Sequence, residues 1–141
     1  MTPSTSTRLL DLLSERNDQV RRLSEQSWNE QSDIHISNSE WYILATLHQS
    51  KTTIAEVTRS VHVSRQAIHK LIKNLESKAL VLVTDHPHNR KDKCIELTAL
   101  GYTCYEQNEA LKAQLEQRIR EGIGQDAFEQ LKIILRMDWK L

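Results

Sequence analysis

The stretch from Ser64 to Lys78 constrains the fold of this chain most, because it combines a start signal, an apolar stripe and a polar face. Ser64 can begin a helix, since its hydroxyl is suited to accept a hydrogen bond from a first-turn backbone N–H. The apolar residues recur every three or four positions and form one face: Ala67, Ile68, Leu71, Ile72 and Leu75. The other face carries Arg65, Gln66, His69, Lys70 and Lys73. The pattern predicts an amphipathic helix that packs on a core through one side only.

A second short helix is predicted immediately before this one. Thr53 and Glu56 have the spacing of a capping box, and a turn around His62 and Val63 leads on to Ser64. Two capped helices joined by a tight turn are typical of a helix-turn-helix, whose second helix enters the major groove of DNA. Arginine and glutamine can form paired hydrogen bonds with guanine and adenine edges. We therefore expect DNA contacts from Ser64, Arg65, Gln66, His69, Lys70 and Lys73.

A β-hairpin is predicted directly after this helix. Residues 80–84 are apolar and β-branched, residues 94–98 alternate in polarity, and the polar residues between them predict a long charged tip. Such a hairpin is the wing of a winged helix. Its cations can reach phosphates or a neighbouring minor groove. The expected wing contacts are Asn89, Arg90, Lys91 and Lys93.

Helices are also predicted at both ends of the chain. One covers residues 7–31, and another begins after Ser37, where Glu40 supplies a capping-box spacing. Near the C-terminus, residues 100–120 have a helical period that Gly122 and Gly124 should break. Asp126 is expected to cap a last helix whose apolar positions are Phe128, Leu131, Ile134, Leu135 and Trp139.

The charge of the chain is segregated. The formal net charge is zero, yet the segment 65–93 has seven basic and three acidic residues. Residues 8–33 have four basic and six acidic residues, and residues 94–141 have six and eight. A basic face on a mildly acidic body favours a nucleic-acid partner, whereas the overall balance alone would not.

Composition limits the other classes of function. At 141 residues and 38% hydrophobic content, the chain fits one domain with its own core. The N-terminal segment lacks the apolar region of a signal peptide and no long apolar run follows, so we expect a cytoplasmic protein without membrane contact. The sequence has no phosphate-binding loop, HExxH or nucleophile elbow, so no catalytic residue, cofactor or enzymatic activity is predicted.

Three groups of residues leave sharper alternatives open. His86 and His88 could suggest metal sensing, but no ligand cluster accompanies them, and exposed histidines without a metal are favoured. Cys94 and Cys104 could sense oxidants, although inert thiols are the favoured interpretation. Trp41 and Trp139 could line the cavity of a small-molecule effector, but core or dimer packing is favoured.

Together the motifs resemble the MarR family of bacterial winged-helix transcription regulators over nearly the whole chain. The resemblance lies in SNSEWYILATL, in TIAEVTRSVHVSRQAIHKLIKNLESKALV, and in the wing HPHNRKDKCIELTALG, which ends in Leu97, Thr98 and Gly101. It implies a homodimer with intertwined terminal helices, two recognition helices in successive major grooves, and Arg90 in a minor groove. Family members often have Asp at the position of Asn89 and Gly at that of Ala79. A left-handed cap at Ala79 would cost roughly 1 kcal/mol.

The sequence thus predicts a mainly α fold with a small β-hairpin wing: a winged helix-turn-helix core with N- and C-terminal dimerisation helices. We expect a single domain over 1–141, with the DNA-binding core at 34–99 and dimerisation helices at 7–31 and 100–141. The expected function is a homodimeric repressor that binds double-stranded DNA at a pseudo-palindromic operator. The alternative is a winged-helix module that binds protein instead of DNA.

Overall fold

The computed structural model describes residues 5–61 and 63–141, with the backbone alone described at Asn89 and Arg90. The elements in the described part are α1 (Leu9–Gln31), α2 (Asn38–Gln49), β1 (Thr52–Thr53), α3 (Ile54–Ser60), α4 (Arg65–Ser77), β2 (Val81–His86), β3 (Asn89–Leu97), α5 (Ala99–Ile123) and α6 (Gln125–Arg136). The predicted fold class, mainly α with a small β wing, is confirmed.

The three strands form one antiparallel sheet in the order β1-β3-β2. The two-residue strand β1, which pairs Thr52 with Ile95 and Thr53 with Cys94, was not predicted. The prediction of a long charged tip on the hairpin is wrong. The strands continue through the polar residues and leave only Pro87 and His88 in the turn. Cross-strand partners such as Asp85 and Lys93 explain this, because pairing with a neighbour lets a polar segment remain extended.

The core lies between α2, α4 and the sheet. It combines the buried faces of these elements with residues from α1 and α5: Trp28, Ile36, Ile43, Leu44, Leu47, Val57, Ile68, Ile72, Leu75, Leu80, Val81, Ile95, Leu97 and Cys104. Trp28 is the buried residue of α1. Its Nε1 donates to the Ile34 carbonyl oxygen at 2.7 Å, and its ring meets Trp41 edge-on at 5.0 Å between centroids. The C-terminal end of α1 is thereby anchored to the core.

Three predicted helix starts are confirmed. The Ser37 hydroxyl accepts from the Glu40 N–H, and the Glu40 carboxylate accepts from the Ser37 N–H, which completes a capping box. The hydroxyl of Thr53 caps α3, and that of Ser64 accepts from the Ala67 N–H at 3.2 Å. The predicted start of α1 at residue 7 was early by two residues, since the helix begins at Leu9.

The C-terminal end of α4 has the hydrogen bonds of a Schellman motif. The Leu80 N–H donates to the Leu75 carbonyl at 3.0 Å, and the Ala79 N–H donates to that of Glu76 at 2.9 Å. Ala79 has φ +60°, the left-handed conformation that glycine adopts most readily. The chain therefore keeps this cap with an alanine in the strained position.

Thr98 joins the end of α4 to the start of α5. Its hydroxyl donates to the Ala79 carbonyl at 2.7 Å and accepts from the Gly101 N–H at 3.0 Å. Gly101 is buried, and a Cβ at this position would overlap the carbonyl oxygen of Leu80. The residue must be glycine because α5 passes this close to the backbone that follows α4.

The structure corrects two predictions for the C-terminal helices. Gly122 does not break α5, which continues to Ile123, since an exposed glycine costs only about 1 kcal/mol within a helix that its neighbours stabilise. The break falls at Gly124, where φ is +91°. Asp126 is not the N-cap of α6. Gly124 occupies that position, and Asp126 lies in the first turn of the helix. In the described ranges, no helix has the length and apolar character to span a membrane.

Candidate nucleic-acid interface

The predicted contact face of α4 is turned away from the core. Ile68, Ile72 and Leu75 are buried against the other elements. All six predicted contact residues of this helix are exposed: Ser64, Arg65, Gln66, His69, Lys70 and Lys73. The helix therefore offers cationic and amide side chains along a free side while its apolar side is fixed.

The helix before α4 supports it from the core side. Val57 of α3 is buried, and the cap at Thr53 fixes the start of α3 next to strand β1. The predicted turn at His62 lies outside the described residues. On α4, Arg65 and Gln66 occupy the first turn, whereas Lys73 lies two turns further along. The first turn of α4 therefore presents an arginine and an amide side chain on an exposed surface.

The wing residues lie on strand β3 instead of in a loop. The backbones of Asn89 and Arg90 begin this strand, and Lys91 is exposed. Lys93 makes an ion pair with Asp85 at 3.3 Å, with both side chains at least half exposed. Such an exposed pair is weak, so Lys93 can exchange Asp85 for a phosphate at little cost.

Asp92 is a positioning residue that the sequence did not reveal. Its Oδ1 accepts from the Ala55 N–H at 3.3 Å and so joins β3 to the first turn of α3. A carboxylate is favourable there because the helix N-terminus carries partial positive charge. The two residues are 37 positions apart, and no local pattern predicts their contact.

A partly buried ion pair between Glu40 and Lys78 was also missed. Glu40 is only 3% exposed, and its two carboxylate oxygens lie 3.0 and 2.9 Å from Lys78 Nζ. The capping box at Ser37 predicted the place of Glu40 on α2, but the partner is 38 residues away. Lys78 is the C-cap of α4, so the pair joins the start of α2 to the end of α4.

An open groove of about 380 Å³ lies between α1, α2 and α5. The groove is lined by three aromatic side chains, Trp41, Tyr42 and Tyr105, and by two cationic ones, Arg21 and Lys112. The pKa of Tyr105 is raised by burial and by Glu109, against a smaller lowering by Lys112. Its phenol is therefore protonated at neutral pH and can donate a hydrogen bond. Trp41, one of the two tryptophans considered for a cavity, lines this groove.

The histidines and cysteines do not assemble into a metal site in the described residues, where no three side chains of His, Cys, Asp or Glu cluster. His86 instead accepts a hydrogen bond from the His88 N–H at its Nδ1, and His48 stacks on Tyr105 with 4.3 Å between ring centroids. Cys94 and Cys104 are both buried free thiols. Burial raises the pKa of Cys104, which disfavours the reactive thiolate.

The fold is similar to several solved structures. The reduced form of MarR from E. coli is 21% identical, with a TM-score of 0.82 over 94% of this chain and 97% of that one. A mutant MarR from E. coli complexed with operator DNA is 22% identical, with a TM-score of 0.75 over 91% of each chain. A MepR mutant from S. aureus is also 22% identical, with a TM-score of 0.75 over 91% of this chain and 93% of that one.

A family model described as MarR family matches residues 35–92. This range begins just before α2 and ends within β3, so it contains both helices of the helix-turn-helix and most of the wing. A comparison with curated proteins gives no sequence match. Residues 35–92 thus match the MarR family, and the whole chain has the winged-helix fold of the solved MarR and MepR structures.

Proposed function

We propose that this protein is a transcription regulator that binds double-stranded DNA with sequence preference, through the exposed face of α4 and the wing. The observation that carries the proposal is the free face of α4, where Arg65, Gln66 and Lys73 project from a helix whose other side is buried. The similar E. coli MarR complexed with operator DNA supports it.

We propose a homodimer as the binding unit. Apolar side chains of α1 and α6 are exposed in the single chain: Leu9, Leu10, Leu12, Leu13, Leu131, Ile133, Ile134 and Leu135. A second copy of the chain would cover them, and residues 7–31 and 100–141 would then act as the dimerisation helices around the 34–99 core. Two-fold symmetry would set the two recognition helices about one helical turn, roughly 10 bp, apart on a pseudo-palindromic operator.

The first test is DNA binding at two salt concentrations. The purified protein is mixed with a random duplex library at low and moderate salt, and the bound fraction is sequenced. A cationic face presented twice should bind any duplex at low salt and a palindromic motif at moderate salt. A motif with a single half-site would contradict the dimer.

Substitutions separate base readers from phosphate contacts. We expect Arg65→Ala or Gln66→Ala to relax sequence preference by about 1–3 kcal/mol. Lys73→Ala or Arg90→Ala should weaken specific and non-specific binding alike and lower the salt slope by about one. We expect an alanine at His69 to act like those at Arg65 and Gln66. Alanine substitutions at the remaining contact residues should act like those at Lys73 and Arg90: Lys70, Asn89, Lys91 and Lys93. Equal effects of all four alanine substitutions would contradict this division.

A winged-helix module that binds protein is the second candidate, because the net charge of zero permits it. It predicts no duplex binding even at low salt. The same titration therefore separates the two functions.

The proposed mode of regulation is repression by occlusion of RNA polymerase. In a purified transcription assay, an operator placed over the promoter should lose transcript as the protein is added, and an operator placed far upstream should not. Increased transcript from either template would indicate an activator.

A small-molecule effector is proposed for the groove between α1, α2 and α5. The aromatic walls and Arg21 suit an aromatic carboxylate, which would have to avoid Glu25 and compete with Glu109 for Lys112. Titration with benzoate-type acids should change tryptophan fluorescence through Trp41 and weaken DNA binding. Neutral analogues of the same size are the control, and an equal response to both would contradict recognition of the carboxylate.

A further inference from the structure

The structure assigns to Glu40 and Lys78 the role of a positioning pair: their partly buried ion pair sets the orientation of α4, the proposed recognition helix, and thereby its sequence selectivity. The inference rests on the proposed DNA binding. Glu40 belongs to α2, which the core holds through Ile43, Leu44 and Leu47. Lys78 follows the last residue of α4. A contact between them therefore fixes the end of α4 relative to the body of the domain.

The geometry of the pair is specific. Both carboxylate oxygens of Glu40 contact Lys78 Nζ, at 3.0 and 2.9 Å, and one of them also accepts from the Ser37 N–H at 3.1 Å. A buried carboxylate without these partners is strongly disfavoured, so Glu40 cannot release Lys78 without a new partner. The Lys78 N–H donates to the Asn74 carbonyl and the Ala79 N–H to that of Glu76, so the backbone at this end is held as well.

Because of its ion pair with Glu40, Lys78 is not proposed as a phosphate contact. Its side chain is 24% exposed and its ammonium group is engaged by Glu40. Lys78 therefore differs from Lys70 and Lys73, which are exposed on the same helix and are proposed to meet phosphates. Its charge serves the orientation of α4 and adds little to the attraction of DNA.

The test compares the ratio of specific to non-specific DNA affinity at one salt concentration. The specific duplex is the best sequence from the library selection, and the non-specific duplex is a scrambled version of it. We expect Glu40→Gln to lower this ratio about tenfold, the discrimination of one base contact. Charge alone predicts a different result, because removal of an acid should strengthen binding to both duplexes.

Glu76→Gln is the matched control. Glu76 lies on the exposed side of α4, two residues before Lys78, and its substitution changes the net charge by the same amount. We expect Glu76→Gln to strengthen binding to both duplexes equally and to leave the ratio unchanged. A tenfold fall in the ratio for this variant as well would overturn the assignment.

The double variant Glu40→Gln/Lys78→Met separates positioning from stability. It keeps the net charge of the wild type, keeps an acceptor for the Ser37 N–H, and leaves no buried unpaired carboxylate. We expect its melting temperature to exceed that of Lys78→Met and its salt slope to match the wild type, while the ratio stays about tenfold low. A wild-type ratio in a folded double variant would overturn the positioning role and leave the proposed DNA binding intact. Failure of the wild type to bind any duplex at low salt would remove both.

Discussion

The winged-helix core and the terminal helices differ in how far the single chain buries their apolar side chains. In α2, Ile43, Leu44 and Leu47 are completely buried within the single chain. In α6, Phe128 is buried, but Leu131, Ile133, Ile134 and Leu135 are between 43% and 53% exposed. The core completes its own packing, whereas the terminal helices have apolar faces that the single chain leaves open.

This difference in burial suggests separate roles: the core would hold α4 and the wing, and the terminal helices would mediate association. A closed core holds α4 and the wing in fixed relation, as the proposed readout of base edges would require. Exposed apolar helices of this extent favour association with another protein surface, and we propose a second copy. The comparison predicts that substitutions in the core change folding, while substitutions in α6 change assembly.

The largest expected effect on folding is that of Leu47→Ala. Leu47 is fully buried, so truncation leaves a cavity and should lower the free energy of unfolding by about 2–5 kcal/mol. Urea denaturation followed by circular dichroism measures this change. Tyr42→Ala, at an exposed position of the same helix, is the control and should change stability much less. Similar losses for both would contradict the closed core.

The next effect is on assembly. Ile134→Asp places a charge on the open apolar face of α6 and should weaken self-association about 100-fold, or roughly 2.7 kcal/mol. Sedimentation velocity at micromolar concentration should show a shift from dimer to monomer while the helical signal of the core persists. Gln125→Asp, at the first residue of α6, adds the same charge in the favourable first turn and should remain dimeric. A monomeric wild-type protein would contradict the proposed role of α6 in self-association.

A smaller effect is expected at the junction between the regions. Gly101→Ala adds a methyl group against the Leu80 carbonyl and should destabilise the domain by about 1–3 kcal/mol as α5 shifts. Thermal unfolding measures the loss. Gly122→Ala is the matched control, since a Cβ at Gly122 meets nothing within 4 Å, and this variant should be slightly more stable. Destabilisation by both would mean that helix conformation, rather than close approach, explains Gly101.

The smallest effect is a gain. Ala79→Gly removes the strain of φ +60° at the end of α4 and should stabilise the domain by up to about 1 kcal/mol, part of which the flexible unfolded chain offsets. A shift of the urea midpoint to higher concentration at an unchanged slope would show this gain. A loss of stability would mean that the methyl group of Ala79 contributes more to packing than the strain costs.

Local signals explain why much of the fold was predictable. Ser37, Thr53 and Ser64 cap helices through residues three positions away, so the spacing in the sequence contains the interaction. The exposed face of α4 was predictable for the same reason, because a helical period separates its two sides.

The contacts that were missed connect distant parts of the chain. Strand β1 has only two residues and exists because β3 pairs with it. The Glu40–Lys78 and Ala55–Asp92 contacts span 38 and 37 residues. Of the two glycines predicted to break the helix, Gly124 does so, whereas Gly122 stays within α5 because tertiary and helical context outweighed a weak local preference.

The two ends of α4 differ in their polar contacts among the described residues, which affects how α4 can tilt. The hydroxyl of Ser64 caps the start, where Ile68 also packs in the core, whereas the Schellman bonds, Glu40 and Thr98 act together at the end. Any tilt should therefore pivot at the C-terminal end. Over 13 residues, or about 20 Å, a tilt of about 10° displaces the first turn by roughly 3 Å, comparable to the length of a hydrogen bond. Arg65 and Gln66 thus lie at the end of α4 that moves most, where a small rotation would suffice to break the base contacts that we propose for them.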